Sequence, residues 1–502
     1  MGLSRRLKWS HPGKTGDMGA MGSAVERLDH AVGERLERLV RDHHRRRLER
    51  LGSGHVLRPP AGSELWAEGE PPPREGNGFS VLIDGEQALP AIAAALGAAR
   101  SHVHIAGWHL TPDFALARGE REPRLREMLA ELAERIDVCV LLWAGPPLPV
   151  FRPRRSDVRA VRDELTRGTK IRCELDARER TFHCHHEKLV IVDDEVAFVG
   201  GIDLTSLSGD RFDSRAHPAG GGLGWHDVAT RIEGPAVADV ADHFRQRWRE
   251  IAGEALPPSD PPHRSGELTI QVVRTVPEGT YRFAPKGEFR ILDSYVRALR
   301  SAESLIYIEN QFLWSAEIVE ILAQKLRTPP RPEFRIVLLL PANPNNGADT
   351  TRGQLGRLIE ADRDQGRLLP VTIHCHSGTE SHSLYVHAKV GIVDDRWVTV
   401  GSANLNEHSL FNDTEMNVVT TDREVGRDTR LALWSEHLER PVEQIAGHPT
   451  TVIDEVWKPI AGEQLERREA GEPLTHRLIR LPAVSRRSKR LIGPMRGLLV
   501  DA

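Results

Sequence analysis

The stretch His185-His186-Glu187-Lys188-Leu189-Val190-Ile191-Val192-Asp193 returns about two hundred residues later as Val386-His387-Ala388-Lys389-Val390-Gly391-Ile392-Val393-Asp394. In each copy His and Lys are separated by one residue, and an Asp follows the Lys after four more. A small-residue pair comes next, Gly200-Gly201 in the first copy and Gly401-Ser402 in the second. A polar residue then stands at Asp203 and at Asn404. Both segments read as short buried strands, rich in branched apolar residues and stopped by an Asp-Asp turn. Side chains alternate along a strand, so His186 shares a face with Lys188 and His387 with Lys389, while Glu187 and Ala388 take the opposite face.

An ammonium beside an imidazole lowers its pKa and makes it a poorer base. It can, however, hold an anion against a neutral imidazole, which is what a nucleophilic histidine needs. Two such units supply two cations for the non-bridging oxygens of a phosphodiester. They also supply two imidazoles, one to attack phosphorus and one to protonate the leaving oxygen and later activate water or an alcohol. This chemistry calls for no metal and no other cofactor.

The flanks repeat as well. Ala98–Ile105 resembles Ser301–Ile308, and Val138–Pro146 resembles Ile336–Pro344. Helices alternating with apolar strands predict an α/β chain of two tandem lobes related by a pseudo-twofold axis, each a mixed sheet with helices on both faces. Boundaries follow the Pro-rich segments: an N-terminal helical extension and linker over 1–76, a first lobe over 77–262, a second over 263–460 and a basic tail over 461–502. Helical spacing of apolar residues runs from Ala24 to Leu51 and ends in the basic run His43-His44-Arg45-Arg46-Arg47.

The paired motifs resemble the twin HKD motifs of the phospholipase D superfamily, in its phosphatidylcholine-hydrolysing branch. Arg211-Phe212-Asp213, Trp225-His226-Asp227, Glu233-Gly234-Pro235 and Ile306-Tyr307-Ile308-Glu309-Asn310-Gln311-Phe312 extend the likeness over roughly Asn77 to Ile460. The resemblance implies that His186 is the nucleophile and His387 the general acid and then base, a choice that the symmetry of the repeat leaves open. It makes Lys188 and Lys389 phosphate ligands and Ser402 and Asn404 neutral donors. Glu415 is expected to orient His387, and Asp213 to orient His186. Asp193 and Asp394 are read as turn caps, Gly201 as part of the motif's small pair, and Asp203 as turned away from the phosphate or paired with a lysine. Trp108 and Trp225 are candidates for a choline pocket through cation–π contact, with plain core packing the equal alternative, and Asn310 and Gln311 are further pocket residues.

The implied activity is hydrolysis of the distal phosphodiester of a glycerophospholipid to phosphatidic acid and free headgroup through a phosphohistidine, with transfer to alcohols as a side reaction. The alternatives are a cardiolipin-synthase-type phosphatidyl transferase, a nuclease or other phosphodiesterase, and a non-catalytic lipid-binding scaffold. Lys plus Arg is 68 against Asp plus Glu at 72, a formal charge of −4, which gives no global pull toward nucleic acid, and none is expected as a partner. Cys139, Cys173, Cys184 and Cys375 lie in apolar stretches and read as reduced core residues, which favours a cytoplasmic setting. No apolar run has the length of a membrane span and Met1–Met21 lacks a signal core, so the expectation is a monomer that meets its phospholipid peripherally at a membrane surface. The tail run Arg486-Arg487-Ser488-Lys489-Arg490 is a candidate contact for that surface. His183-Cys184-His185 and His374-Cys375-His376 have metal-ligand residue types, but zinc needs three or four ligands converging on one point. We therefore read no metal site there.

Overall fold

The computed structural model describes residues 35, 37–58, 64–118, 122–147, 153–179, 183–207, 209, 212, 224–258, 262–342, 348–377 and 380–481. Two sheets have the same strand order. In the first lobe, Arg74–Ile83 pairs antiparallel with Val228–Glu233, which pairs with Val196–Gly200, then Leu189–Val192, then His102–Gly107. Two parallel neighbours, Asp137–Trp143 and Arg172–Asp176, complete it. In the second lobe, Leu268–Val276 pairs antiparallel with Glu415–Thr420, then Trp397–Gly401, Val390–Val393 and Leu305–Glu309. Arg335–Leu339 and Leu368–Ser377 follow in parallel.

The strands Arg74–Ile83 and Leu268–Val276 also meet, through Arg74↔Ile270 and Asn77↔Leu268, and join the two sheets. The joined ladder stays open. Among the described residues its outer strands, Arg172–Asp176 and Leu478–Arg480, each have a single partner.

The central strands are apolar on both faces because helices cover both. In Asp137–Trp143, Val138, Val140 and Leu142 pack with Leu89, Leu125, Leu129 and Val158 of three helices. Cys139 and Leu141 face Val237, Val240, Phe244 and Trp248 of the helix Ala236–Ala252. The second sheet repeats this, with Ile306 and Ile308 against Leu292, Val296 and Val319 on one side, and Tyr307 against Trp434 and Trp457 on the other. Such alternation in a fully buried strand is what a mixed sheet covered by two helical layers requires.

Each motif strand ends in a three-residue hairpin loop that begins with two left-handed residues. φ is 55° and 54° at Asp193 and Asp194, and 53° and 51° at Asp394 and Asp395. Asp tolerates this region because its short carboxylate bonds locally. The Asp193 carboxylate accepts from the amides of Arg100, Ser101 and His102 at 2.8–3.0 Å. The Asp394 carboxylate accepts from those of Glu303, Ser304 and Leu305 at 2.7–2.8 Å. These bonds tie each motif hairpin to the start of the neighbouring strand.

Residues 37–51 form a helix docked on the second lobe. Its basic end is divided: His43, Arg45 and Arg46 are exposed, whereas Arg47 pairs with Glu278 and donates to Asn412 at 2.8 Å, and His44 stacks on Phe411 and bonds Glu317 at 2.7 Å. The expected start of this helix at Ala24 lies outside the described residues. The expected boundary at 460 falls within the helix Lys458–Ala470, and Leu478–Arg480 adds a strand to Leu368–Ser377. That part of the tail therefore belongs to the second lobe, while the basic run at 486–490 lies outside the described residues. Among the described residues no helix is long and apolar enough to cross a membrane.

Candidate active site

The two motifs meet where the lobes exchange backbone hydrogen bonds. His186 N donates to Thr414 O at 2.9 Å, and His387 N donates to His226 O at 2.8 Å. Each of these carbonyls belongs to the residue just before an acid, Glu415 in one case and Asp227 in the other. Each acid is thereby delivered to the imidazole of the opposite half. His186 Nδ1 bonds Glu415 Oε1 at 3.0 Å, and His387 Nδ1 bonds Asp227 Oδ2 at 2.6 Å.

This corrects the expected pairing. Glu415 orients His186, not His387, and the partner of His387 is Asp227. Asp213, expected to serve His186, lies outside the described residues. The two acids are equivalent in the repeat. Gly200 registers with Ala229, and Gly401 with Asn417, so Asp227 and Glu415 occupy the same place two residues upstream. The legible signal was the register of these strands. It was obscured because the first half has a longer connection after its motif.

The imidazole ring centroids are 6.4 Å apart at an interplanar angle of 65°. Both residues are 5% exposed. Nδ1 of His186 faces two acceptors, the Glu415 carboxylate and Ser402 O at 3.2 Å, so Nδ1 carries a proton directed at them. Nδ1 of His387 is anchored by its carboxylate in the same way.

Lys188 Nζ donates to His186 O at 2.8 Å and pairs with Asp203 Oδ2 at 2.9 Å. Lys389 Nζ donates to His387 O and to Gln311 Oε1, the latter at 3.3 Å. The same Gln311 oxygen accepts from Asn404 Nδ2 at 3.2 Å. Each lysine therefore folds back beside its own histidine. Asp203 in one half and the neutral pair Gln311 and Asn404 in the other hold them there.

The acids are held differently. Glu415 is fully buried and accepts from Ser402 Oγ and from Ser409 Oγ, the latter at 2.6 Å. Burial pushes its carboxyl above the ordinary range, against the pull of His186 and Lys188. Asp227 Oδ1 accepts from Val228 N at 2.8 Å. A Cβ on Gly201 would stand 2.0 Å from Asp227 Oδ1, so the missing side chain at 201 is the space this acid occupies. Ser402 holds the same motif place in the second half.

A second layer supports Asp227. Asp84 Oδ1 accepts from the Asp227 amide at 3.0 Å and bonds His226 Nδ1 at 2.9 Å. His226 Nε2 bonds Glu309 Oε2 at 2.8 Å, and His437 Nε2 bonds Glu309 Oε1 at 2.9 Å. Burial disfavours the imidazolium at His226, yet Asp84 and Glu309 raise its pKa well above the ordinary value. On the opposite face of the first motif, Glu187 bonds His243 and Arg247, each at 2.7 Å. Burial pushes the Glu187 carboxyl up, but those two partners bring it down to about 2. In the second motif Ala388 takes this place and packs in an apolar cluster. His226, Asp227 and Glu309 lie in segments that carry the family likeness, whereas Asp84, His437 and His243 come from helices that no motif marks.

Of the pocket candidates, Trp225 lies against His387, with ring centroids 4.5 Å apart, and Tyr385 packs on Trp225 at 5.0 Å. Gln311 donates to Tyr385 Oη at 2.8 Å. Trp108 instead stacks on Trp143, next to Cys184. Asn310 Oδ1 accepts from the amides of Phe312 and Leu405 at 3.1 and 3.0 Å, a bracing role for the second-motif loop.

Residues 95–224 match the family described as Phospholipase D, and residues 295–432 match the family described as Cardiolipin synthase, PLD-like domain. Each match spans one repeat. The chain belongs to the phospholipase D superfamily and is an enzyme of its phosphodiesterase kind.

Phospholipase D alpha 3 of Arabidopsis thaliana is 24% identical over 78% of this chain and 69% of that protein. Phospholipase D A of Dictyostelium discoideum is 25% identical over 73% of this chain, which spans 36% of that protein's length. Phospholipase D alpha 1 of Cynara cardunculus is 24% identical over 76% of this chain and 68% of that protein. Phosphatidylserine synthase of Haemophilus influenzae has a TM-score of 0.48 at 13% identity, covering 78% of this chain and 93% of that one.

Proposed function

We propose that the chain is a phospholipase D that cleaves the distal phosphodiester of a glycerophospholipid through a phosphohistidine on His186. The observation that carries this reading is the crossed anchoring of two imidazoles, 6.4 Å apart, by Glu415 and Asp227. A gap of this size suits one phosphorus, about 3 Å from the attacking ring with its leaving oxygen about 2.8 Å from the other.

The two anchors differ in a way that divides the labour. Asp227 makes a 2.6 Å bond to His387, which favours the imidazolium and suits a general acid. Glu415 shares its oxygens among His186, Ser402 and Ser409. Its charge is thus spread over three partners, and the scheme gives His186 the attacking role. His186 Nε2 attacks phosphorus while His387 protonates the headgroup oxygen. His387, now neutral, takes a proton from water, which displaces His186 and releases phosphatidic acid. Lys188, Lys389 and Asn404 neutralise the non-bridging oxygens, with Lys188 exchanging Asp203 for phosphate. Trp225 and Tyr385 lie beside His387, on the leaving-group side, where a choline headgroup would meet aromatic faces. Contact with the membrane is peripheral in this scheme.

The likeness of the second repeat to cardiolipin synthase domains favours transfer to an alcohol as the second reading. Headgroup release from mixed-lipid vesicles, with a glycerol acceptor and short DNA assayed in parallel, tests both. Choline release lost in His186→Ala supports hydrolysis, and products that need glycerol support transfer. DNA cleavage without lipid turnover contradicts both.

A further inference from the structure

The histidine-rich lead-in to the first motif divides in the structure. His185 turns inward, with Nε2 3.1 Å from Asp176 Oδ1 and Nδ1 2.9 Å from Thr414 Oγ1. His183 also meets the second half, at His408 and Asp413. Its Nδ1 lies 3.2 Å from His408 Nδ1 and 3.6 Å from Asp413 Oδ1, and the ligand atoms of the three residues all lie within 4.8 Å of one another. In a zinc tetrahedron with bonds of about 2.0–2.1 Å, neighbouring ligand atoms are about 3.3 Å apart. The two measured edges bracket that length.

We propose that His183, His408 and Asp413 form a zinc site that pins the two halves together beside His186 and His387.

Three observations support a ligand at this cluster. Asp413 Oδ2 is buried and has no hydrogen-bond partner among the described residues. The side chain of His183 is 17% exposed, which leaves a route for a water to complete the coordination. Two histidines and one carboxylate with a solvent position is a common zinc donor set. By contrast, His226 has a carboxylate on each ring nitrogen, and Glu309 is shared between His226 and His437. In the group of His102, His104 and Asp194, the carboxylate already holds Arg245.

The cation would bridge the segment leading to His186 and the loop leading to Glu415. That seam already carries Cys184 N to Asp413 Oδ1 at 2.9 Å, Thr414 N to Cys184 O at 3.2 Å and His186 N to Thr414 O at 2.9 Å. Zinc there would fix the register that sets Glu415 against His186. It would hold these groups in place and take no part in bond making.

The test is metal analysis of the full chain after equilibration with zinc and removal of excess, together with the absorption spectrum of the cobalt(II)-loaded protein. The expected result is one zinc per chain and the intense visible bands of tetrahedral cobalt. Both should be lost in His183→Gln and in His408→Gln with unchanged circular dichroism, and both should be retained in a His186→Ala/His387→Ala double variant. Sub-stoichiometric zinc, a weak six-coordinate cobalt spectrum, or zinc lost with the double variant would each overturn the site. The wild-type cobalt spectrum decides the matter even if the glutamine variants fail to fold.

Discussion

Asp227 has the same position in its repeat as Glu415 but accepts from a different set of donors, and this difference organises the proposed chemistry. Replacing it with asparagine keeps the volume and removes the charge that stabilises the His387 imidazolium. We expect Asp227→Asn to lower kcat by about 10²–10⁴-fold with little change in KM, and steady-state kinetics on short-chain lipid checks it. Glu415→Gln should also lower kcat, since it frees the ring of His186 to change tautomer. An unaffected kcat in either variant would mean that the carboxylates do not act through the imidazoles. The choice between Asp213 and Asp227 was poorly legible in the sequence. Both acids stand downstream of the first motif, and spacing alone favours the nearer one. The two His and Lys pairs were legible because the repeat marks them twice, although the strands expected to carry them begin only at Leu189 and Val390, just after the lysines. Between a pocket and the core the sequence left Trp108 open, because an isolated Trp carries no positional signal, and the structure packs it on Trp143.

The hairpins that carry the motifs depend on small residues where backbone meets acid. Gly201→Ala would drive a methyl group into the Asp227 carboxylate, 2.0 Å from Oδ1. We expect activity to fall at least as far as in Asp227→Asn, because His387 loses its anchor, while far-UV circular dichroism stays native. Retention of activity would place the acid elsewhere.

The rear face of the first motif makes a separate prediction. The Glu187 carboxyl has a folded pKa of about 2 against an ordinary 4.5. The unfolded chain binds the proton first, so the contribution is complete above about 4.5 and fades as pH falls toward 2. Urea midpoints should drop between pH 5 and pH 3, and Glu187→Gln should flatten that slope. The same substitution leaves Arg247 short of one buried partner and should cost about 3–5 kcal/mol at neutral pH. A slope unchanged in the variant would remove Glu187 from the acid limb. The strands themselves were legible from their apolar runs. Glu187 paired with His243 was not, because the partner comes from a helix some fifty residues downstream and no periodicity marks it.

Across the whole molecule, the duplication was readable as repeated segments and the structure returns it as two sheets with one strand order. The sequence could not convey that the halves exchange acids, since that exchange depends on how the lobes meet. Both imidazoles here come from one chain, so mixing His186→Ala protein with His387→Ala protein should restore no activity. Recovery on mixing would mean that the working site forms between chains.

The central claim is that His186 and His387 serve a single phosphorus, with His186 as the nucleophile. It is tested most directly by reacting the His387→Ala protein with a short-chain phosphatidyl p-nitrophenol, whose leaving group needs no proton from His387, quenching in neutral denaturant and mapping the adduct by mass spectrometry. The account predicts a phosphatidyl group on His186 that is absent from His186→Ala. An adduct on any other residue, or none while headgroup is still released, would contradict it.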